Sequence, residues 1–220
     1  MSTSETFRIV VLRHGDAQVP EDRYPDHERM PLSDLGTQQA RAAASNLSRT
    51  GVRRIVSSPL LRALATAEWL GRATGLTVEV DERLRERVFP SLYGVTYEEI
   101  ESRHGRNVRD AFESGNSDLV SLPGVDELPE YARRLRALRL EILQAGTSPM
   151  VIVSHGGPHE WLVNEVLGIR DRGRRWFTLD KCRVTVLDFN RTSRDIHQVV
   201  ALNISPRDYA AMVSGDGFTK

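Results

Sequence analysis

The sequence predicts an α/β fold with a central, mostly parallel sheet, and three observations indicate it. Short runs of apolar and β-branched residues alternate with longer amphipathic segments along most of the chain. Two of the short runs end abruptly in polar, histidine-containing sequence, as strands do where a sheet borders a crevice. The 220 residues, 40% of them hydrophobic, suffice for one domain with a substantial core. We therefore expect a single domain over 1–220, a three-layer sandwich with helices on both faces of the sheet and a small helical insertion.

Six segments are predicted to be strands because they are short, rich in β-branched residues and bounded by turn-forming residues. They are 7–12, 54–57, 77–80, 150–153, 184–189 and 196–202. The run Met-Val-Ile-Val at 150–153 is the clearest of them. The last two segments are expected to pair with each other.

Longer segments with helical periodicity follow most of these strands. Ser33 can cap a helix over about 36–48, and Pro59 is expected just inside a second helix, where its missing N–H leaves no bond unmade. Further helices are expected over 127–144 and after position 157. In the second helix the side chains expected to face inward are Leu61, Leu64, Ala65 and Leu70. The last dozen residues are expected to form a loose tail.

The stretch 81–125 loses the simple alternation and is interpreted as an insertion that covers one end of the sheet. It contains Pro90 and Gly94, and it contains a capping box from Thr96 to Glu99 ahead of a polar helical segment. We expect this insertion to form a lid.

The charge of the chain excludes some classes of partner and favours one class of ligand. Thirty basic and thirty acidic residues give a formal net charge of zero, so neither nucleic acid nor a membrane is expected as a partner. Only Lys181 and Lys220 are lysine, and the other basic residues are arginine. A codon bias is the simpler explanation, but arginine is also the side chain best shaped to grip a phosphate group.

Cys182 is the only cysteine, so no disulfide can form within the chain and a reducing compartment is expected. Neither a secretion signal nor an apolar run long enough to span a membrane is visible. A cytoplasmic location is therefore expected.

Polar residues with complementary chemistry follow the predicted strands. Because ligands in open α/β sheets bind beyond the carboxyl ends of the strands, these side chains can converge in one crevice. They are Arg13, His14, Arg62, Glu86 and His155. A neutral imidazole can accept a phosphoryl group covalently, arginines can stabilise its oxygens, and a carboxylic acid can protonate the departing alkoxide. Taken singly, each residue also has an ordinary structural explanation.

Their order and context resemble the histidine phosphatase superfamily, also called the phosphoglycerate mutase-like family. The resemblance extends from Phe7 to about Asn203. Its segments are VLRHGDA at 11–17, PLSDLG at 31–36 with Gln39 and Ala40, SSPLLRA at 57–63 with TA at 66–67, LRE at 84–86 followed by Gly94 and Thr96, and VIVSHGG at 151–157.

The resemblance implies a role for each residue. His14 is the expected phosphoryl acceptor and Glu86 the expected proton donor. Arg13, Arg62 and His155 form the expected phosphate pocket, with Gly156 beside it. Arg87 is a candidate contact for a second anionic group. No metal and no cofactor are expected, the ligand is a small phosphorylated substrate, and a homodimer is left open.

Departures from the family pattern concern specificity more than chemistry. Pro20 stands where many members have an asparagine that contributes to the phosphate site. Gly156 stands where a second branch of the superfamily has an aspartate, which points to the branch that uses Glu86. We expect a phosphatase that acts on a small phosphomonoester, with a phosphoglycerate mutase as the alternative and a non-catalytic phospholigand-binding domain as the third hypothesis. Arg172, Arg174 and Arg175 are interpreted as a solvated basic cluster.

Overall fold

Six strands form one sheet in the computed structural model, which describes residues 6–113, 120, 122, 128–145, 148–170, 176–190 and 197–215. The strands are β1 (Thr6–Arg13), β2 (Arg54–Ser57), β3 (Val78–Val80), β4 (Met150–Ser154), β5 (Val184–Asn190) and β6 (His197–Ile204). Their order in the sheet is β3-β2-β4-β1-β5-β6. The first four are mutually parallel, whereas β5 is antiparallel to both β1 and β6. The predicted mostly parallel sheet is confirmed.

The described residues form seven α-helices. They are α1 (Asp34–Leu47), α2 (Leu61–Thr74), α3 (Tyr97–His104), α4 (Arg106–Glu113), α5 (Leu128–Ala145), α6 (Gly156–Leu167) and α7 (Pro206–Ser214). Ser33 caps α1 as predicted, because its side chain accepts a hydrogen bond from the backbone N–H of Gly36 at 3.0 Å.

The strands alternate their side chains between two apolar cores, one on each face of the sheet. On one face, Val10 and Leu12 of β1 pack against residues of α1, α2 and α7, including Leu47, Ala67 and Tyr209. On the other, the intervening residues of β1 pack against α5 and α6. This arrangement of helix, sheet and helix is the predicted three-layer sandwich.

Two sequence-based expectations about α2 are wrong. Pro59 lies outside the helix, which begins at Leu61, and Leu61 itself is 43% exposed. Leu70 is buried as expected, but the rest of the buried face consists of Arg62, Ala63, Thr66, Ala67 and Gly71. Small alanines let α2 approach the sheet closely. This orientation turns the polar residues Arg62 and Thr66 toward His14 and Gly15, which follow β1.

The expected loose tail is also wrong, because much of it belongs to α7. The sequence Ser-Pro-Arg-Asp at 205–208 starts a helix: Ser205 accepts a hydrogen bond from the backbone N–H of Asp208, and Pro206 occupies the first turn. Tyr209 then anchors the helix in the core, where it is 1% exposed.

The predicted insertion has an apolar cluster of its own within the described residues. It joins Tyr24 from the loop before α1 to Phe89, Leu92, Tyr97, Ile100, Phe112 and Val120. The backbone ties the same loop to the insertion, since Tyr24 donates to the carbonyl of Val95 and accepts from the N–H of Gly94, both at 2.9 Å. The capping box between Thr96 and Glu99 is confirmed at the start of α3. No helix among the described residues is long and apolar enough to cross a membrane.

Candidate active site

The sheet register brings the two predicted histidines together. Arg13 of β1 lies opposite Ser154 of β4, so the next residue of each strand, His14 and His155, emerges at the same edge. Their ring centroids are 5.0 Å apart. The helix after β1 lies on one face of the sheet and the helix after β4 on the other. In open α/β sheets, loops that diverge in this way form a crevice at the sheet edge, where ligands bind.

His14 is held as a neutral imidazole with a defined tautomer. It is 3% exposed, and its Nδ1 donates to the carbonyl of Gly15 at 2.6 Å. Its Nε2 lone pair accepts from Nε of Arg62 at 3.1 Å. Burial and then the positive charge of Arg62 hold the pKa of His14 well below its usual value. The ring is thus unprotonated at neutral pH, which a nucleophilic imidazole requires.

The loop that carries His14 packs tightly against the start of α1. A side chain on Gly36 would place its Cβ 1.9 Å from the carbonyl oxygen of Asp16, so only glycine permits this approach. The N–H of Gly15 donates to the hydroxyl of Thr66 at 3.1 Å, which links the loop to α2. Asp16 accepts a hydrogen bond from Ser33 at 2.6 Å.

Arg62 enters the crevice from the first turn of α2 and contacts two histidines. Besides its bond to His14, its Nη1 donates to the carbonyl of His27 at 2.8 Å. Its Nη2 lies 3.3 Å from Nδ1 of the His27 ring, which must accept because a guanidinium only donates. Burial lowers the pKa of Arg62 to about 10, so the side chain remains a cation at neutral pH.

His155 lies at the N-terminus of α6, where it is fully buried. Its Nε2 is 2.8 Å from Oγ of Ser58, the residue after the neighbouring strand β2. Its Nδ1 has no hydrogen-bond partner among the described residues. Burial, then the charge of Arg62, holds the pKa of His155 well below its usual value. His155 therefore brings a neutral ring with an available polar atom.

Arg13 borders the site from the end of β1. Its Nη1 donates to the carbonyl of Leu179, in the segment that leads into β5. The backbone N–H of Cys182 in turn donates to the carbonyls of Arg13 and His14, at 3.0 and 3.3 Å. These bonds place the turn around Lys181 next to His14.

Glu86 reaches the N-terminus of α6 from the segment after β3. One carboxylate oxygen accepts from the N–H of Gly157 at 3.1 Å, and the other accepts from the N–H of Arg87 at 3.0 Å. A Cβ at position 157 would lie 2.4 Å from Oε1 of Glu86, so glycine leaves the space that the carboxylate occupies. Gly156, also buried, is the first residue of the helix.

Arg87 follows Glu86 but points into the insertion. It is 2% exposed, its Nη1 donates to the carbonyl of Val120 at 2.5 Å, and its guanidinium lies over the ring of Phe89. Its contact with a second anionic group of the substrate stays a prediction. The predicted cluster of Arg172, Arg174 and Arg175 lies outside the described residues.

The sequence reasoning missed His27, Ser58 and Lys181 as neighbours of the site. His27 belongs to no recognisable motif, yet its carbonyl and its ring both contact Arg62. Ser58 belongs to the SSPLLRA segment, which could have indicated that it lies near the site. Lys181 stood out in the composition, because it is one of only two lysines in the sequence. Among the described residues, no group of three or more histidine, cysteine or acidic side chains is arranged to hold a metal ion.

The sequence is similar to those of other proteins. Over 189 residues it is 31% identical to "Bifunctional protein Rv2228c" of Mycobacterium tuberculosis, an alignment that covers 83% of this chain and 50% of that protein, so the chain spans about half of that relative's length. It is 29% identical over 195 residues to "Probable phosphoglycerate mutase GpmB" of Escherichia coli, covering 84% of this chain and 86% of that one.

The fold is also similar to that of solved structures. The native structure of mycobacterial glucosyl-3-phosphoglycerate phosphatase Rv2419c superposes with a TM-score of 0.74 and 28% identity, covering 91% of this chain and 100% of that chain. The sequence model of one family, the histidine phosphatase superfamily (branch 1), matches residues 9–202, which includes both histidines and Glu86. The chain belongs to branch 1 of the histidine phosphatase superfamily.

Proposed function

We propose that the protein is a phosphatase that hydrolyses a small phosphomonoester through a phosphohistidine on His14. The observation that carries the proposal is the state of that ring. It is neutral, its Nδ1 proton is fixed on Gly15, and its Nε2 lone pair faces a guanidinium at 3.1 Å. A phosphate ester that takes the place of this contact meets a nucleophile and a cation together.

In the first step Nε2 of His14 attacks phosphorus and the bond to the leaving oxygen breaks. Charge on the transferred oxygens is stabilised by Arg62 and Arg13, and Nδ1 of His155 is available to donate to them. Glu86 gives its proton to the leaving alkoxide. These cations supply the positive charge that Mg²⁺ supplies in many phosphoryl transfer enzymes, so we propose that no metal is needed and that chelation leaves activity intact.

In the second step water attacks the phosphohistidine and releases inorganic phosphate. The Glu86 carboxylate left by the first step can accept the proton of that water. A mutase would instead return the phosphoryl group to another hydroxyl of the substrate, and the similarity to a probable phosphoglycerate mutase keeps this as the second candidate. Phosphatases are represented among the similar structures, and they favour hydrolysis.

The decisive experiment replaces the nucleophile and traps its adduct. We expect His14→Ala to abolish phosphate release from a panel of phosphomonoesters, because no other side chain at the site can replace the acceptor. The wild-type protein, quenched with labelled substrate, should carry an acid-labile, base-stable phosphoryl group. His104→Ala is the matched control, since His104 is exposed at the end of α3. Turnover by His14→Ala near the wild-type rate would refute the mechanism.

The choice between phosphatase and mutase depends on where the phosphoryl group goes next. We expect stoichiometric free phosphate from the preferred substrate, followed by phosphorus NMR. Incubation with 3-phosphoglycerate and catalytic 2,3-bisphosphoglycerate should not yield 2-phosphoglycerate. Its rapid appearance without free phosphate would establish the mutase instead.

A further inference from the structure

The turn before β5 places a lysine at the edge of the crevice. Its backbone is docked on the nucleophile's own strand end, since the N–H of Cys182 bonds to the carbonyls of both Arg13 and His14. Cys182 has φ of 51°, in the left-handed region that side chains rarely adopt, so the turn holds a specific and unfavourable backbone conformation. Lys181 is therefore held beside the site by contacts that do not involve its own side chain.

Lys181 lies among cations and has no anionic partner at ion-pair distance among the described residues. It is partly buried. The charged or titratable groups around it come from β1, the loop after it, α2 and its own turn: Arg13, Asp16, Arg62 and Cys182. Asp16, the one carboxylate in this set, already accepts a hydrogen bond from Ser33. A third cation beside two guanidinium groups is unfavourable in the empty protein and becomes favourable when an anion binds.

We propose that Lys181 is a further binding residue for the phosphoryl group of the substrate. The inference rests on the proposed function, because it assigns the ligand of the same crevice. Its ammonium group adds a compact point charge to the planar guanidinium groups of Arg13 and Arg62. The charge of Lys181 also acts on His14, His155 and His27, lowering the pKa of each, and these three rings belong to separate segments that border the crevice.

The identity of the residue is informative as well. Twenty-eight of the thirty basic residues are arginine, and Lys220 is the last residue of the chain, so Lys181 is the one internal lysine. Arginine remains charged at every accessible pH, whereas a desolvated lysine can lose its proton. Burial, reinforced by Arg13, lowers the pKa of Lys181 to about 8. Affinity for a phosphate group should then depend on pH in the mildly alkaline range.

The test measures binding of inorganic phosphate by calorimetry and by its inhibition constant against p-nitrophenyl phosphate. Lys181→Met should weaken phosphate binding roughly 10- to 100-fold, as expected for the loss of a charged hydrogen-bond donor. Wild-type affinity should fall as the pH rises through about 8, where inorganic phosphate stays dianionic. Lys181→Arg should keep most of the affinity at neutral pH and lose that alkaline decline.

Arg207→Gln is the matched control, because Arg207 is exposed and lines, together with Lys181, a surface cavity of about 440 Å³ whose lining includes neither His14 nor His155. Its phosphate affinity should equal that of the wild type. Equal affinity in Lys181→Met, or an unchanged alkaline decline in Lys181→Arg, would overturn the inference while leaving the phosphohistidine mechanism intact. If instead the wild type binds phosphate with the expected dependence on Lys181 but forms no phosphohistidine, the proposed function is wrong and the binding role stands.

Discussion

On the proposed mechanism, Gly157→Ala should displace Glu86 from its place as proton donor while leaving the fold intact. The new Cβ would lie 2.4 Å from Oε1 of Glu86 and 2.7 Å from the hydroxyl of Tyr131, where ordinary contact begins at 3.4 Å. The Glu86 carboxylate must therefore move by about 1 Å, from 2.4 to 3.4 Å. The Glu86 carboxylate ends a flexible side chain that can give way, whereas Tyr131 is buried in the core and must shift with its ring. Alanine favours a helix over glycine by about 0.5–1 kcal/mol, which offsets this cost, so we expect little loss of stability.

The expected loss of activity follows from the failure of a displaced Glu86 to protonate the leaving group. A misplacement of about 1 Å can cost on the order of 10²-fold, and a general acid contributes about 10²- to 10⁴-fold in total. We expect kcat/KM for an alkyl phosphate such as glycerol phosphate to fall about 10²-fold. The value for p-nitrophenyl phosphate should fall far less, because p-nitrophenolate leaves without protonation. Glu86→Gln should give the same pattern.

A double-mutant cycle separates this cause from a direct effect on the phosphate pocket. In a Glu86→Ala background the obstructing carboxylate is absent, so adding Gly157→Ala should cost little more. Thermal unfolding of all variants checks the fold. An equal loss for both substrates, or an equal loss in both backgrounds, would refute the reasoning and assign Gly157 to binding of the phosphoryl group.

Two further predictions concern the histidines. His27→Leu removes the ring acceptor that lies 3.3 Å from Nη2 of Arg62 and should lower kcat/KM up to roughly tenfold. His27→Asn should retain most of the activity, because its Oδ1 can accept in place of Nδ1. If steady-state kinetics show equal losses in the two variants, His27 contributes to packing alone. Acid should destabilise the protein as the pH falls below 6.5, because each buried histidine whose pKa is lowered takes up a proton in the unfolded state but not in the folded state. Each contributes up to about 1.4 kcal/mol per pH unit until its folded-state pKa is reached, which is about 3 for two of them. The residues are His14, His27, His155 and His159. Thermal unfolding midpoints should fall between pH 7 and 5.5, and a flat profile would contradict the prediction.

Local signals in the sequence determined the order and type of most elements. Ser33 has a side chain that satisfies a free N–H at the start of α1, and Thr96 with Glu99 does the same for α3. Such interactions span three residues and need no knowledge of the rest of the chain. The same holds for the apolar run of β4. The predicted chemistry also came from local context, since His14 and His155 directly follow strands.

The tertiary structure alone decided which of these elements meet. Strand order places β4 between β2 and β1, and this order puts Ser58 beside His155 and His14 on the other side. The buried face of α2 was predicted only in part, since Leu70 is buried as expected but Leu61 is exposed. Helical periodicity counts apolar residues, whereas this helix buries small alanines together with the polar residues Arg62 and Thr66. Strand order and helix orientation both depend on contacts between residues that are far apart in the chain.

His27 and Lys181 mark the boundary between what the sequence by itself determined and what it did not. Neither stands in a motif, and each reaches the site through backbone bonds to distant segments: His27 through its carbonyl to Arg62, and Lys181 through the docking of Cys182 on β1. The sequence by itself indicated that a histidine, two arginines and an acid were available for the proposed phosphoryl transfer. Their surroundings depend on burial and on loop positions, which arise only when segments far apart in the chain pack together, and these surroundings set the charge state of His14.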